Sequence, residues 1–269
     1  MKKMLNKIRC VYIIKEIFKN IEPVVFLNII RYNKKIQKKL ETTKGNYHYY
    51  DLVIKIELIP KNIDTRNTFI NIKENEKDFY QIYFDKKKVK RNYFTNKEKI
   101  SKIKIVINNE IKSLKGLFSG CSCIKEINFI KFKKKDITDM SQMFYNCENL
   151  IKINFNEFNT SNVITMKYMF RGCLSLKKIE LFKFDTSNVN DMSYMFYQCE
   201  SLKRMDLSKL NTINVDNING LFSECISLKF IDITTFRTRL LLQPESFIPD
   251  VKGLIYKHKS IKGIMTRYK

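Results

Sequence analysis

Phe118, Phe144, Phe170, Phe196 and Phe222 follow one another at a spacing of 26 residues. Cys121, Cys147, Cys173, Cys199 and Cys225 keep the same interval, as do Ile124, Leu150, Leu176, Leu202 and Leu228. Two more columns run in register: Ile127, Ile153, Ile179, Met205 and Ile231, then Phe129, Phe155, Leu181, Leu207 and Ile233. A fixed period of this length severely limits what the chain can become. One unit is too short to enclose a core, so it must bury its apolar letters against the next copy of itself.

The unit can be read from "CLSLKKIELFKF", which holds Cys173, Leu176, Ile179, Leu181 and Phe184. Ile179 and Leu181 alternate with polar residues, the pattern of a short strand with one face inward. "DTSNV" follows and supplies turn chemistry, since Asn and Asp side chains bond nearby backbone groups. Met192, Met195 and Phe196 then fall at i, i+3 and i+4, which predicts about one turn of helix. Stacking along the strands at ~4.8 Å per unit would set Phe144, Phe170 and Phe196 one above another. The expected class is an α/β repeat, a leucine-rich-repeat solenoid of 26-residue units preceded by a small α+β region.

The blocks "MFYNCENLIKINFNEFNTSNVITMKYMF" and "MFRGCLSLKKIELFKFDTSNVNDMSYMF" resemble the BspA-type leucine-rich repeat, a unit also described in mycoplasma lipoproteins as a domain of unknown function. The likeness spans about residues 114–236, with M-F-x-x-C and F-D/N-T-S-N-V recurring in order. It implies a non-catalytic scaffold that binds other proteins. Bacterial members resemble cell-surface adhesins. Here the start, "MKKMLNKIRCVYIIKEIF", breaks its apolar stretch at Lys15 and Glu16, and no apolar run reaches the ~18–20 residues of a membrane span. The expectation is therefore an intracellular, cytoplasmic protein.

The flanks lack the period. Val11, Ile14, Phe18 and Ile21 share a helical face, Pro23 suits the first turn of a second helix, and Ile29, Ile36 and Leu40 continue it. "YHYYDLVIKIELIP" and "DFYQIYFDKKKVKRNYF" read as strands, the latter a hairpin turning near Asp85–Lys88. Residues 1–100 are thus expected as a helical hairpin plus strands, 101–247 as the solenoid with "ISKIKIVI" as its capping strand, and 248–269 as a basic C-terminal cap or tail. A helical hairpin at 8–40 ahead of leucine-rich repeats resembles the layout of an F-box protein, which implies a ubiquitin-ligase substrate adaptor as an alternative function.

The formal net charge of +24 raises a third reading, a nucleic-acid or anionic-membrane binder. Residues 1–100 carry 24 basic and 11 acidic side chains, whereas residues 116–247 carry 17 and 14, so that reading belongs to the N-terminal region. The 42 lysines against nine arginines, with no alanine at all, match AT-rich coding better than selection for base contacts, which favour Arg. "KKKVKR", Lys86–Arg91, resembles a nuclear-import signal and would admit the chain to the nucleus.

Between the inward strand positions lie three outward columns: Glu126, Lys152, Lys178, Arg204 and Phe230; Asn128, Asn154, Glu180, Asp206 and Asp232; Ile130, Asn156, Phe182, Ser208 and Thr234. They vary where the core letters do not. The middle column turns acidic toward the C-terminus, which disfavours nucleic acid on the repeats. Lys178, Glu180, Phe182, Arg204, Asp206, Phe230 and Asp232 are the candidate contacts to an unknown protein partner, with Phe182 and Phe230 as anchors. A monomer is expected.

No paired carboxylates, Gly-rich phosphate loop or nucleophile elbow occurs, and a catalytic triad would have only His48 and His258 to draw on. No cofactor, metal or enzymatic activity is expected. The Cys column reads as small buried hydrophobes, because a single file of thiols does not make a tetrahedral zinc cluster. Cys123 lies off the column and is expected to be exposed and reactive.

Overall fold

The computed structural model describes residues 33–39, 53–61, 67–95, 98–108, 111–237, 240, 254–258 and 264–266. The chain divides into two compact units, Met1–Val53 and Ile54–Lys269. Among the described residues of the first, a short helix, α1 (Lys34–Lys39), starts where the Ile36 N–H donates to Asn33 Oδ1 at 3.2 Å. The rest of the expected hairpin over 8–40 lies outside the described residues.

The second unit is mostly β. Its strands are β1 (Ile54–Pro60), β2 (Tyr80–Phe84), β3 (Lys87–Val89), β4 (Ile103–Ile107), β5 (Ile124–Lys131), β6 (Lys152–Asn154), β7 (Arg204–Asp206), β8 (Phe230–Asp232), β9 (Ile255–Lys257) and β10 (Ile264–Thr266). They form a mixed six-stranded sheet ordered β3-β2-β4-β1-β5-β6 and a four-stranded sheet ordered β10-β9-β8-β7. The β2–β3 hairpin turns at Asp85, which takes φ +51, a conformation Asp tolerates better than most residues. Lys87 and Lys88 of the basic stretch are hairpin residues.

The repeat appears as parallel pairing between units. Ile127 lies opposite Ile153 and Asn128 opposite Asn154, while Met205 lies opposite Ile231. Between β6 and β7, Ile179 and Leu181 are buried in line with these strands although their segment makes no ladder. The phenylalanine column is a stack of nearly parallel rings. Centroids are 5.7, 5.3, 5.4 and 5.3 Å apart from Phe118 through Phe222, and no two neighbouring planes differ by more than 8°.

The expected helical turn is not there. Over Met140–Cys147, the N–H groups of Met140, Gln142, Phe144 and Asn146 donate to the carbonyls of Thr165, Lys167, Met169 and Arg171 in the next unit, at 2.7–3.2 Å. The intervening N–H groups of Met143, Tyr145 and Cys147 turn back onto Met140, Gln142 and Phe144. A helix would keep every N–H for itself; here every second one is exported, so the segment becomes consecutive turns. Gln142 and Asn146 accordingly adopt φ +57 and +53, and Tyr194 and Gln198 repeat this at +56 and +59. Parallel bridges Ser113–Asp139–Thr165–Asp191–Asn217 run along this turn face.

The letters of "DTSNV" divide between a local turn and bonds to neighbouring units. Asp185 Oδ1 accepts the N–H and hydroxyl of its own Ser187 at 3.0 and 2.6 Å. Thr186 Oγ1 donates forward to Asn211 O at 2.8 Å, Asn188 Nδ2 donates backward to Ser161 O at 2.7 Å, and Val189 is buried. The preceding unit repeats this through Asn159, Thr160, Ser161 and Asn162.

Both ends of the stack are paired. The expected cap strand β4 does not pair with the repeats' first strand. β1 inserts between them, antiparallel to both β4 and β5, with Ile56 opposite Ile105 on one side and Phe129 on the other. The expected division after residue 100 therefore runs through a single sheet. At the other end β9 adds a parallel rung to β8, and β10 pairs antiparallel with β9.

Candidate protein-binding face

The strand face presents the three outward columns. Phe182 is 58% exposed, although its neighbours Leu181 and Phe184 are buried, and Lys183 Nζ lies 5.7 Å from its ring centroid. In the same column Ile130 is 50% exposed. Two large apolar side chains thus stand in water on a face whose alternate positions form the core.

Charged candidates divide into two kinds. Lys178 Nζ pairs with Glu180 Oε1 at 2.7 Å on the surface. Such an exposed pair contributes little to stability and is free to exchange partners. Asp206 and Asp232 are turn formers. Asp206 Oδ1 accepts the Ser208 N–H at 2.9 Å, and bonds from the hydroxyl and N–H of Ser208 hold its carboxyl below the usual range. Asp232 Oδ1 accepts both the N–H and the hydroxyl of Thr234, and its Oδ2 lies 3.6 Å from Lys257 Nζ. Much of the acidity in the middle column is thus spent on local geometry.

Phe230 is half-buried, because the Arg204 guanidinium lies 4.6 Å from its ring centroid. The two form one composite surface, an aromatic plane beneath an exposed guanidinium. Of the two expected anchors, only Phe182 is fully presented.

Cys123 is corrected outright. It is 2% exposed, and its Sγ donates to Thr68 O at 3.1 Å. Burial pushes its thiol up to about 12, so it is protonated and inert at neutral pH. The five column thiols are also free and buried. Burial raises those of Cys147, Cys173 and Cys199 well above their ordinary value.

A polar cavity of about 330 Å³ lies among Thr68, Asn71, Lys73, Asn92 and Lys115. Its donors serve the fold: Asn71 Nδ2 reaches Gly116 O and Ser119 O, and Lys73 pairs with Glu76. Among the described residues, no three His, Cys, Asp or Glu side chains lie together as metal ligands, and no helix is long and apolar enough to cross a membrane.

The stacked segment coincides with a family match. Residues 112–238 match the model of a Mycoplasma protein family of unknown function, DUF285. The match starts at the first turn-face segment and ends just after Phe236, the last core phenylalanine of the array. No curated protein and no solved structure matches the chain.

Proposed function

We propose that this chain is a non-catalytic protein-interaction scaffold, a leucine-rich-repeat solenoid of the BspA type that takes its partner on the strand face. The observation that carries this reading is Phe182, an aromatic ring 58% exposed on a surface whose underlying side chains are fully buried. Rigid backing matters, because an anchor that is already ordered loses little entropy on binding. Arg204 over Phe230 adds an aromatic–guanidinium patch, and Lys178 and Glu180 supply charges that can re-pair across an interface. Aromatic and Arg side chains are the types that dominate binding energy at such centres.

The test is proximity labelling of the full chain in its native cell, followed by binding with the purified candidate partner. Phe182→Ala should weaken that binding while the melting temperature stays unchanged. Arg204→Glu should weaken it independently. Undiminished affinity in both variants would sink the strand-face reading.

A further inference from the structure

The turn face, on the other side of each unit from the strand columns, holds an arginine with no counterpart. The Arg171 guanidinium lies 5.5, 5.4 and 4.8 Å from the ring centroids of Tyr145, Tyr168 and Tyr197. These rings come from three successive units. Tyr194 stacks on Tyr168 at 5.1 Å and meets Tyr197 edge-on at 5.8 Å, and Lys167 Nζ lies 5.1 Å from the Tyr168 centroid. Arg171 donates no side-chain hydrogen bond and forms no ion pair among the described residues, and its Nε is buried with no acceptor.

That is an unusual state for a guanidinium. It carries five donors in a planar fork suited to a carboxylate. An unsatisfied buried donor is destabilising, and cation–π contacts offset that only in part. The rings nonetheless hold the fork in place, so little of its freedom remains to be lost on binding. The surrounding tyrosines are themselves half-buried.

We infer that this Tyr–Arg cluster is a second protein-binding site, and that it takes a short acidic segment of a partner protein, with one carboxylate on the outer amino groups of Arg171. The flanking charge argues for a single carboxylate over a polyanion. Asp139 and Asp191, on the units before and after, each hold a Ser N–H at 2.8 Å and line the same ladder. A phosphate backbone running along the units would pass the acidic positions of that ladder, whereas a single carboxylate at Arg171 need not. Apolar residues beside that carboxylate would lie on the Tyr168–Tyr194 stack. The site is separate from the strand face and stands or falls without it.

The test uses the full chain and two probes: a capped Phe-Glu-Phe tripeptide amide and the same peptide with Gln in place of Glu. Shielding from solvent should make the Arg171 Nε–H signal visible by NMR. The Glu peptide should shift that signal and the tyrosine ring signals saturably, and the Gln peptide should bind about tenfold more weakly or worse, the scale of a lost hot-spot contact. Arg171→Lys, which keeps the charge but not the fork, should lose most of the binding, while Lys152→Gln on the strand face should change nothing. Equal binding of the two peptides by the wild-type chain would overturn the site, as would shifts that map elsewhere. Stronger perturbation by inorganic phosphate or a single-stranded oligonucleotide at equal concentration would overturn the acidic segment as its occupant.

Discussion

Cys173 Sγ lies 3.1 Å from the carbonyl oxygen of Phe144, 29 residues earlier and one unit down the stack. Cys147, Cys199 and Cys225 repeat the contact with Phe118, Phe170 and Phe196. The column is therefore more than filler: each thiol is a small apolar plug that also donates weakly between units. Cys173→Ala should destabilise the chain by about 1–2 kcal/mol, through lost packing and a lost weak bond. Cys173→Ser should cost more, because a hydroxyl prefers water and its shorter bond reaches the carbonyl less well. Urea denaturation of both variants checks the order.

Phe170 sits between two rings, at 5.3 Å from Phe144 and 5.4 Å from Phe196, and is fully buried. Phe170→Ala should cost about 3–5 kcal/mol. In a one-dimensional stack, each unit's contribution depends on its neighbours. Among the described residues Phe222, whose ring stacks on Phe196, ends the column. Phe222→Ala should therefore cost measurably less than Phe170→Ala. Equal losses would mean that the units are not coupled through this column.

The core was readable because a strand's alternation and a strict period need no knowledge of distant contacts: Ile153, Ile179 and Met205 are all buried as their spacing requires. The turn face was misread because Met192, Met195 and Phe196 meet a helical face and a turn ladder equally well. What decides between them is where the backbone N–H of Tyr194 goes, and it goes to Asn219, in another unit. Cys123 failed for a related reason. What covers it is Thr68, 55 residues away, across a strand order in which β1 displaces β4. Arg171 carries no motif at all. Its site exists only because Tyr145, Tyr168 and Tyr197 are stacked side by side.

Gly220 and Gly116 occupy the same place in their units, at φ +62 and +63. A Cβ on Gly220 would meet Tyr194 Cε1 at 2.4 Å, whereas on Gly116 the nearest atom is 3.8 Å away. Gly116→Ala should thus cost only the left-handed backbone penalty of roughly 1–2 kcal/mol. Gly220→Ala should cost more, by whatever moving the Tyr194 ring requires. In a Tyr194→Ala background the two glycine substitutions should become equivalent, and thermal melts of the double-mutant cycle measure the difference. A gap that survives removal of the ring would locate the strain in the backbone.

Six buried thiols make the fold sensitive to alkali. Burial raises the folded values of all six, to about 12 for Cys123 and Cys225. In the unfolded chain a thiol titrates near 8.5. Above that pH the unfolded state releases protons that the folded state retains, so it binds fewer protons and stability falls as pH rises. Their contribution is intact below about pH 8 and is lost upward toward the folded values, at about 1.4 kcal/mol per thiol per pH unit once the unfolded thiol is ionised. Melting temperature should therefore drop steeply between roughly pH 8.5 and 10, before lysine titration begins in earnest. Replacing Cys147, Cys173 and Cys199 together by Ala should lower the melting temperature at pH 7 but flatten its decline with pH. An unchanged slope in that triple variant would show that groups other than the column thiols govern the alkaline transition.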